Sequence, residues 1–232
     1  DVDENPDNLP SDRRFSGPQI SVELIETDFQ SASYIDRFER VEDYNLGNVL
    51  GTSMQISPQG WYSADNYLLF GLSDSDGMRI SESSFIRGAG SFFGRTDFDR
   101  FENMILGCDL RYYNNIGLVN WLGIDLGSHT LASSLSLDQG EILDKDRQFL
   151  LGADNGLRGY AARLFDGDQV VLFSLEDRVF FIENVLRIFN FGGAIFFDAG
   201  GAGSSGIGDI VTDELHTDIG IGLRIGLPRS SG

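Results

Sequence analysis

Cysteine is almost missing from this 232-residue chain, in which Cys108 stands alone. One thiol excludes a disulfide framework within the chain, and it excludes a zinc site built on four cysteines or on two cysteines and two histidines. Lysine is as scarce: of 17 basic residues only Lys145 is lysine, and the rest are arginine. His129 and His216 are the only imidazoles. No nucleophile motif surrounds either, so both read as rim residues, His129 ending a strand and His216 beginning one, and the chain is not expected to be an enzyme. Basic charge is short overall, and the formal net charge of −19 argues against nucleic acid as a partner. Long apolar runs are absent too. No stretch approaches the roughly 18 apolar residues of a transmembrane helix, but a β-barrel hides its lipid face in alternation and escapes that test.

The opening DVDENPDNLPSDRR lacks the basic start and apolar core of a secretory signal. Residues 1–14 read as an acidic tail or linker. Its D-x-D-x-N start has the spacing of a calcium loop, but Pro6 stands where such a loop needs glycine and Asp12 where it needs a bidentate glutamate. A solvated tail is the expectation, with no metal and no cofactor anywhere in the chain.

What the chain does have, from Ile20 onward, is period-two alternation, the mark of strands with two unlike faces. In NMILGCDLRYY, Met104, Leu106, Cys108, Leu110 and Tyr112 share one face, against Gly107, Asp109 and Arg111. In GLVNWLGIDLGSH, Leu118, Leu122, Ile124 and Leu126 oppose Gly123, Asp125, Gly127 and His129. TDIGIGLRIGL is cleanest, with Ile219, Ile221, Leu223, Ile225 and Leu227 against Asp218, Gly220, Gly222, Arg224 and Gly226. Similar runs lie near 18–30, 45–57, 64–75, 78–93, 168–182 and 188–199, and no segment of like length has helical spacing. The chain is expected to be all-β, with roughly ten strands. Asn114 and Asn115 read as a tight turn, because asparagine tolerates left-handed angles.

Three features favour a transmembrane antiparallel β-barrel over a soluble β-sandwich binding domain. Several strands run to ten residues or more, nearer the spanning length than the usual five or six. The polar face is rich in Gly, Asp and Arg. Phe92, Phe93, Tyr112, Tyr113, Phe180, Phe181, Phe189 and Phe191 gather near strand ends as an interfacial girdle would. Two connections exceed hairpin length: one near 133–167, and the glycine-rich, acidic GGAGSSGIGDIVTDELHT.

The longer connection contains NGLRGY, in which Gly156 and Gly159 flank Leu157 and Arg158 and precede Tyr160. Two glycines allow a sharp turn that presents the arginine away from the loop. NGLRGY, FSLEDRVFF, AIFFDAGGAG and DIGIGLRIGLP, in that order over 152–228, resemble the bacterial surface-antigen superfamily of outer-membrane barrels. That family holds the BamA- and TamA-type assembly factors and the two-partner secretion transporters. The resemblance implies a barrel of about sixteen strands, of which 15–232 would be an incomplete part cut at both ends. It implies periplasmic POTRA domains outside this chain, location in a bacterial outer membrane, contact with its lipid, and client outer-membrane or secreted polypeptides as partners. It implies as well that the long loop folds into the lumen and that Arg158 binds Glu176 and Asp198 on the inner wall. Alternation places both acids on the polar face: Glu176 with Ser174 and Arg178, Asp198 with Ala194 and Phe196. Tyr160 would pack beside the arginine, and Arg178, Asp218 and Arg224 would extend the network. A passive pore or structural barrel is the alternative within the membrane.

Overall fold

A computed structural model describes residues 13–38, 40–185 and 189–226. The tail residues 1–12, with the calcium-like spacing, and Leu227 lie outside the described residues. The fold is all-β and antiparallel. Its strands are β1 (Gln19–Ile25), β2 (Phe29–Ser33), β3 (Val41–Asn45), β4 (Val49–Ser57), β5 (Tyr67–Arg79), β6 (Ser84–Thr96) and β7 (Phe101–Trp121). They continue with β8 (Ile124–Glu141), β9 (Phe149–Leu151), β10 (Phe165–Gly167), β11 (Gln169–Val185), β12 (Phe189–Gly203) and β13 (His216–Gly226). One sheet of nine strands runs β1-β4-β5-β6-β7-β8-β11-β12-β13, while β2-β3 and β9-β10 form separate two-stranded ribbons. Among the described residues the large sheet is open, with β1 and β13 at its edges. No helix there is long and apolar enough to cross a membrane.

Pairing fixes which side chains share a face, because directly opposed residues point the same way. Glu176 opposes Ala132 on β8 and Phe196 on β12, and Asp198 opposes Ser174 on β11 and Asp218 on β13. These make one face, called inner here because both long insertions fold against it. The outer face carries Ile20, Val22, Met54, Leu72, Phe92, Leu106, Leu110, Leu135, Ile195 and Phe197, all exposed. It continues on β13, where Ile221 is 83% exposed. This is more contiguous apolar surface than monomeric soluble proteins usually expose.

Several sequence expectations need correction. Asn114 and Asn115 are not a turn: both lie inside β7, opposite Leu131 and Thr130. The hairpin turns at Leu122 and Gly123, both at positive φ (52° and 83°), the conformation a two-residue hairpin loop requires. GLVNWLGIDLGSH is therefore two strands around a tip, and His129 sits within β8, where its Nδ1 lies 2.9 Å from Asp177. The supposed girdle divides between the faces, since neighbours along a strand point oppositely. Phe92 and Phe181 face out; Tyr113 and Phe180 face in, against Phe85 and Phe38 respectively. The long connection begins later than expected, because β8 continues to Glu141. The glycine-rich connection is shortened to 204–215 by β12 and contains a helix, α1 (Ile207–Asp213). Ile210 of α1 packs where a Cβ on Gly201 would sit, 2.8 Å away, so this contact needs the glycine.

Between β1 and β4 the chain inserts the β2–β3 ribbon, which folds onto the inner face at the end where β5 turns into β6 and β7 into β8. Ile35 and Leu46 from this insertion bury with Phe85 of β6, and Tyr44 and Tyr113 pack around them. The insertion is closed at its base by Asn45, whose Oδ1 accepts from the Asp28 and Gly47 amides at 2.9 and 3.1 Å. The 142–168 connection enters from the opposite end.

Candidate functional site

The site is built around the loop that carries Arg158. Three amides, those of Asn155, Gly156 and Leu157, converge on the Gly152 carbonyl at 3.0–3.2 Å and curl the chain into a tight turn. Asn155 pins it from within: its Oδ1 accepts from the Gly152 amide at 2.8 Å, and its side-chain amide donates to the Leu150 carbonyl. Gly156 takes φ +141°, in a region disfavoured for other residues, and a Cβ there would strike Leu172. Gly159 is needed for space instead. A Cβ at that position would come 2.8 Å from Asp218, and no positive φ occurs there. Leu157, between them, is fully buried.

This turn delivers Arg158 to the inner wall. Its Nε and one Nη donate to the two oxygens of Asp198, both at 2.8 Å. The other Nη donates to Glu176 at 2.6 Å, and Ser174 Oγ takes a further bond at 3.1 Å while itself donating to Asp198 at 2.5 Å. The guanidinium also lies over the Phe196 ring, 3.6 Å from its centre. Flat access to that ring depends on Gly220, the cross-strand neighbour of Phe196, because a Cβ there would run into the ring. The fixed fork of arginine suits this cradle, with two carboxylates and a hydroxyl taking its N–H groups and an aromatic ring against it. Hydrogen bonds from Arg158 to Asp198, and then to Glu176, hold the guanidinium more basic than usual. Asp198 is fully buried, so its charge depends on this partner.

The other residues divide. Tyr160 donates from its hydroxyl to the Thr217 carbonyl at 3.1 Å and packs against Phe165 and His216, so it fastens the loop to the start of β13. Asp218 forms no ion pair among the described residues; one of its oxygens accepts the Gly159 amide at 3.1 Å. Arg178 does join the cluster, with Nε 3.0 Å from Glu176 and Nη1 2.5 Å from Asp36. Arg224 approaches Glu176 at 3.5 Å. A cavity of about 310 Å³ beside the cluster, lined by Asp109, Arg111, Ser134, Asn155 and Arg178 among others, leaves room for water.

Sequence reasoning missed three partners. Ser174 and Phe196 were legible, since alternation already places them on the faces of Glu176 and Asp198. Asp36 was not, because it lies in a loop between two five-residue strands with no periodic signal. A second ion cluster was missed as well: Arg95 bonds Glu102 at 3.0 Å and Asp144 at 2.5 Å, and Arg13 pairs with Asp144 and Asp146. It ties the start of the described chain and the 142–148 stretch to β6. No protein-family model matches this chain, and no curated protein matches it.

Proposed function

We propose that this chain forms part of the wall of a bacterial outer-membrane β-barrel of the surface-antigen kind, acting in assembly or translocation of client polypeptides. The observation that carries the reading is the seating of Arg158: an inward loop places a guanidinium between Glu176 and Asp198 on the wall opposite an exposed apolar face. Those are the contacts that the resemblance implies. Strands of 13–21 residues in β5–β8 are more than long enough to span a bilayer at a tilt. A soluble sandwich would need a second large sheet over that apolar face. Among the described residues the other sheets are two-stranded ribbons.

In this role the outer face meets lipid, the inner face is hydrated, and the Arg158 loop is a plug fastened to the wall. The chemistry is mechanical and electrostatic, without a cofactor. Client segments in extended form would be recognised through backbone pairing, with POTRA domains outside this chain delivering them. The test is Arg158→Ala in the full-length protein in its own membrane, comparing client assembly or export with the protein's own insertion. The reading expects client handling to fall while insertion holds. Unchanged client handling with raised ion conductance would favour the passive pore; no change in client handling, conductance or loop protease sensitivity would remove the lock from the account.

A further inference from the structure

The Arg158 loop and the β2–β3 insertion reach the inner wall from opposite ends, and one run of side chains joins them. Glu176 accepts from Arg158 on Oε2 at 2.6 Å and from Arg178 on Oε1 at 3.0 Å. Arg178 Nη1 in turn donates to Asp36 at 2.5 Å and to the Ile35 carbonyl at 2.8 Å. The insertion is anchored there independently: Asn115 donates to the Ser33 carbonyl and Thr130 to the Tyr34 carbonyl, at 2.8 and 2.7 Å, while Tyr34 and Phe38 pack on Phe180.

We propose that Asp36 is a positioning residue for the Arg158 lock, so that the β2–β3 insertion and the 142–168 loop are two plugs whose seating is energetically coupled. The reason is charge balance. Within the ion pairs, Arg158, Arg178 and Arg224 meet Glu176, Asp198 and Asp36, three cations against three anions, while the neighbouring Asp218 accepts a backbone amide of the loop. With Asp36 in place, Arg178 is held from below, and its Nε addresses one oxygen of Glu176, leaving the other for Arg158. Without it, two carboxylates face three guanidinium groups. Arg178 then competes for Glu176, and the excess positive charge disfavours Arg158, the only one of the three cations carried by a detachable loop. Among the described residues the Asp36 carboxylate bonds Arg178 and the Tyr44 hydroxyl, neither of them in that loop, so its effect on the loop passes through Arg178 and Glu176. Coupling is reciprocal: loss of Arg158 also loosens the insertion. Because the Asp36 side chain is half exposed, the coupling weakens at high salt. The inference concerns contacts along the inner wall, and it stands or falls separately from whether the outer face lies in lipid.

The experiment is limited proteolysis of the 142–168 loop in the intact protein, with hydrogen exchange of the insertion read in parallel. Asp36→Asn keeps the shape and removes the charge. It is expected to raise the loop cleavage rate about fivefold or more at low salt, within the usual range of coupling between sites. Asp36→Glu should restore the slow rate, and 1 M salt should shrink the difference. Arg158→Ala should speed exchange in the insertion, and the double variant should exceed neither single variant by the product of their effects. Wild-type loop cleavage in Asp36→Asn would overturn the proposal. So would equal acceleration by Asp36→Asn and Asp36→Glu, which would mean that the insertion matters as packing and not as charge. Should Asp36→Asn not fold, Arg178→Gln interrupts the same chain one step later, and unchanged cleavage there overturns the proposal too.

Discussion

At the residue scale the decisive quantity is the burial of Asp198. It is fully enclosed, and its charge is met by Arg158 and Ser174. Removing one partner of a buried pair strands the other charge, which costs about 3–5 kcal/mol. Since Arg158 itself is about a third exposed, the lower end applies. Arg158→Ala is therefore expected to weaken loop docking by ~3 kcal/mol, read as accelerated proteolysis within 142–168. Arg158→Lys should fall between, because an ammonium cannot span Asp198, Glu176 and Ser174 in one plane. Gly220→Leu is a charge-free control: its side chain would displace the Phe196 ring beneath the guanidinium and loosen the loop with every ionic partner kept. If Gly220→Leu left cleavage unchanged, the aromatic platform would be incidental. Strand parity shows a side chain's face without any coordinates, so it put Glu176 and Asp198 on one polar face; that Arg158 would bind them came from the resemblance, not from parity. Asp36 carried no such periodicity.

Among the elements, the same physics explains which were readable. β13 was expected over 217–227 and forms over 216–226, because every outward position is Ile, Leu or Thr and every inward one glycine, charged or polar. The β7–β8 hairpin was misplaced because Asn114–Asn115 has turn-like chemistry, yet the long alternation on both sides makes a paired ladder the better arrangement. The short β2 and β3 gave no readable alternation, since each is only five residues long. Loop anchoring gives a pH test. Asp144 is held below its usual value of 3.8, chiefly by hydrogen bonds from Arg95 and further by Arg13. A carboxylate whose pKa is depressed by folding contributes its full stabilisation above that usual value and loses it only as pH falls through the depressed one. Protection against hydrogen exchange in 142–148, taken relative to the intrinsic amide rate at each pH, should accordingly stay level from neutral pH down to about 4 and fall only below that. Asp144→Asn should show the low protection at every pH. A fall in protection centred near pH 6 in the native chain would assign the anchoring to another group.

For the whole molecule, the sheet is a wall with two unlike faces, charged or small inward and mainly apolar outward, where the polar exceptions include Asp74, Asp76 and the His129–Asp177 pair. Substitutions on the two faces of one strand should therefore differ. Ile221→Arg, outward on β13, is expected to cost about 2–4 kcal/mol of stability in a bilayer, the range for a basic residue facing lipid near the midplane. Gly222→Ser, one residue on and inward, has open space around its Cβ and should be close to neutral. Urea unfolding in lipid vesicles distinguishes them. Similar costs for both would mean that the outward face is not in lipid.

The most direct test uses the single cysteine. Cys108 is exposed on the outer face of β7, between Leu106 and Leu110, and is the one thiol of these 232 residues; any cysteine elsewhere in the full-length protein is replaced by serine before labelling. A fluorophore attached there, with the full-length protein in its bilayer, should be quenched strongly by quenchers on the acyl chains and weakly by aqueous iodide. Strong iodide quenching with little effect from the acyl-chain quencher would contradict the account, because it would put the apolar face in water.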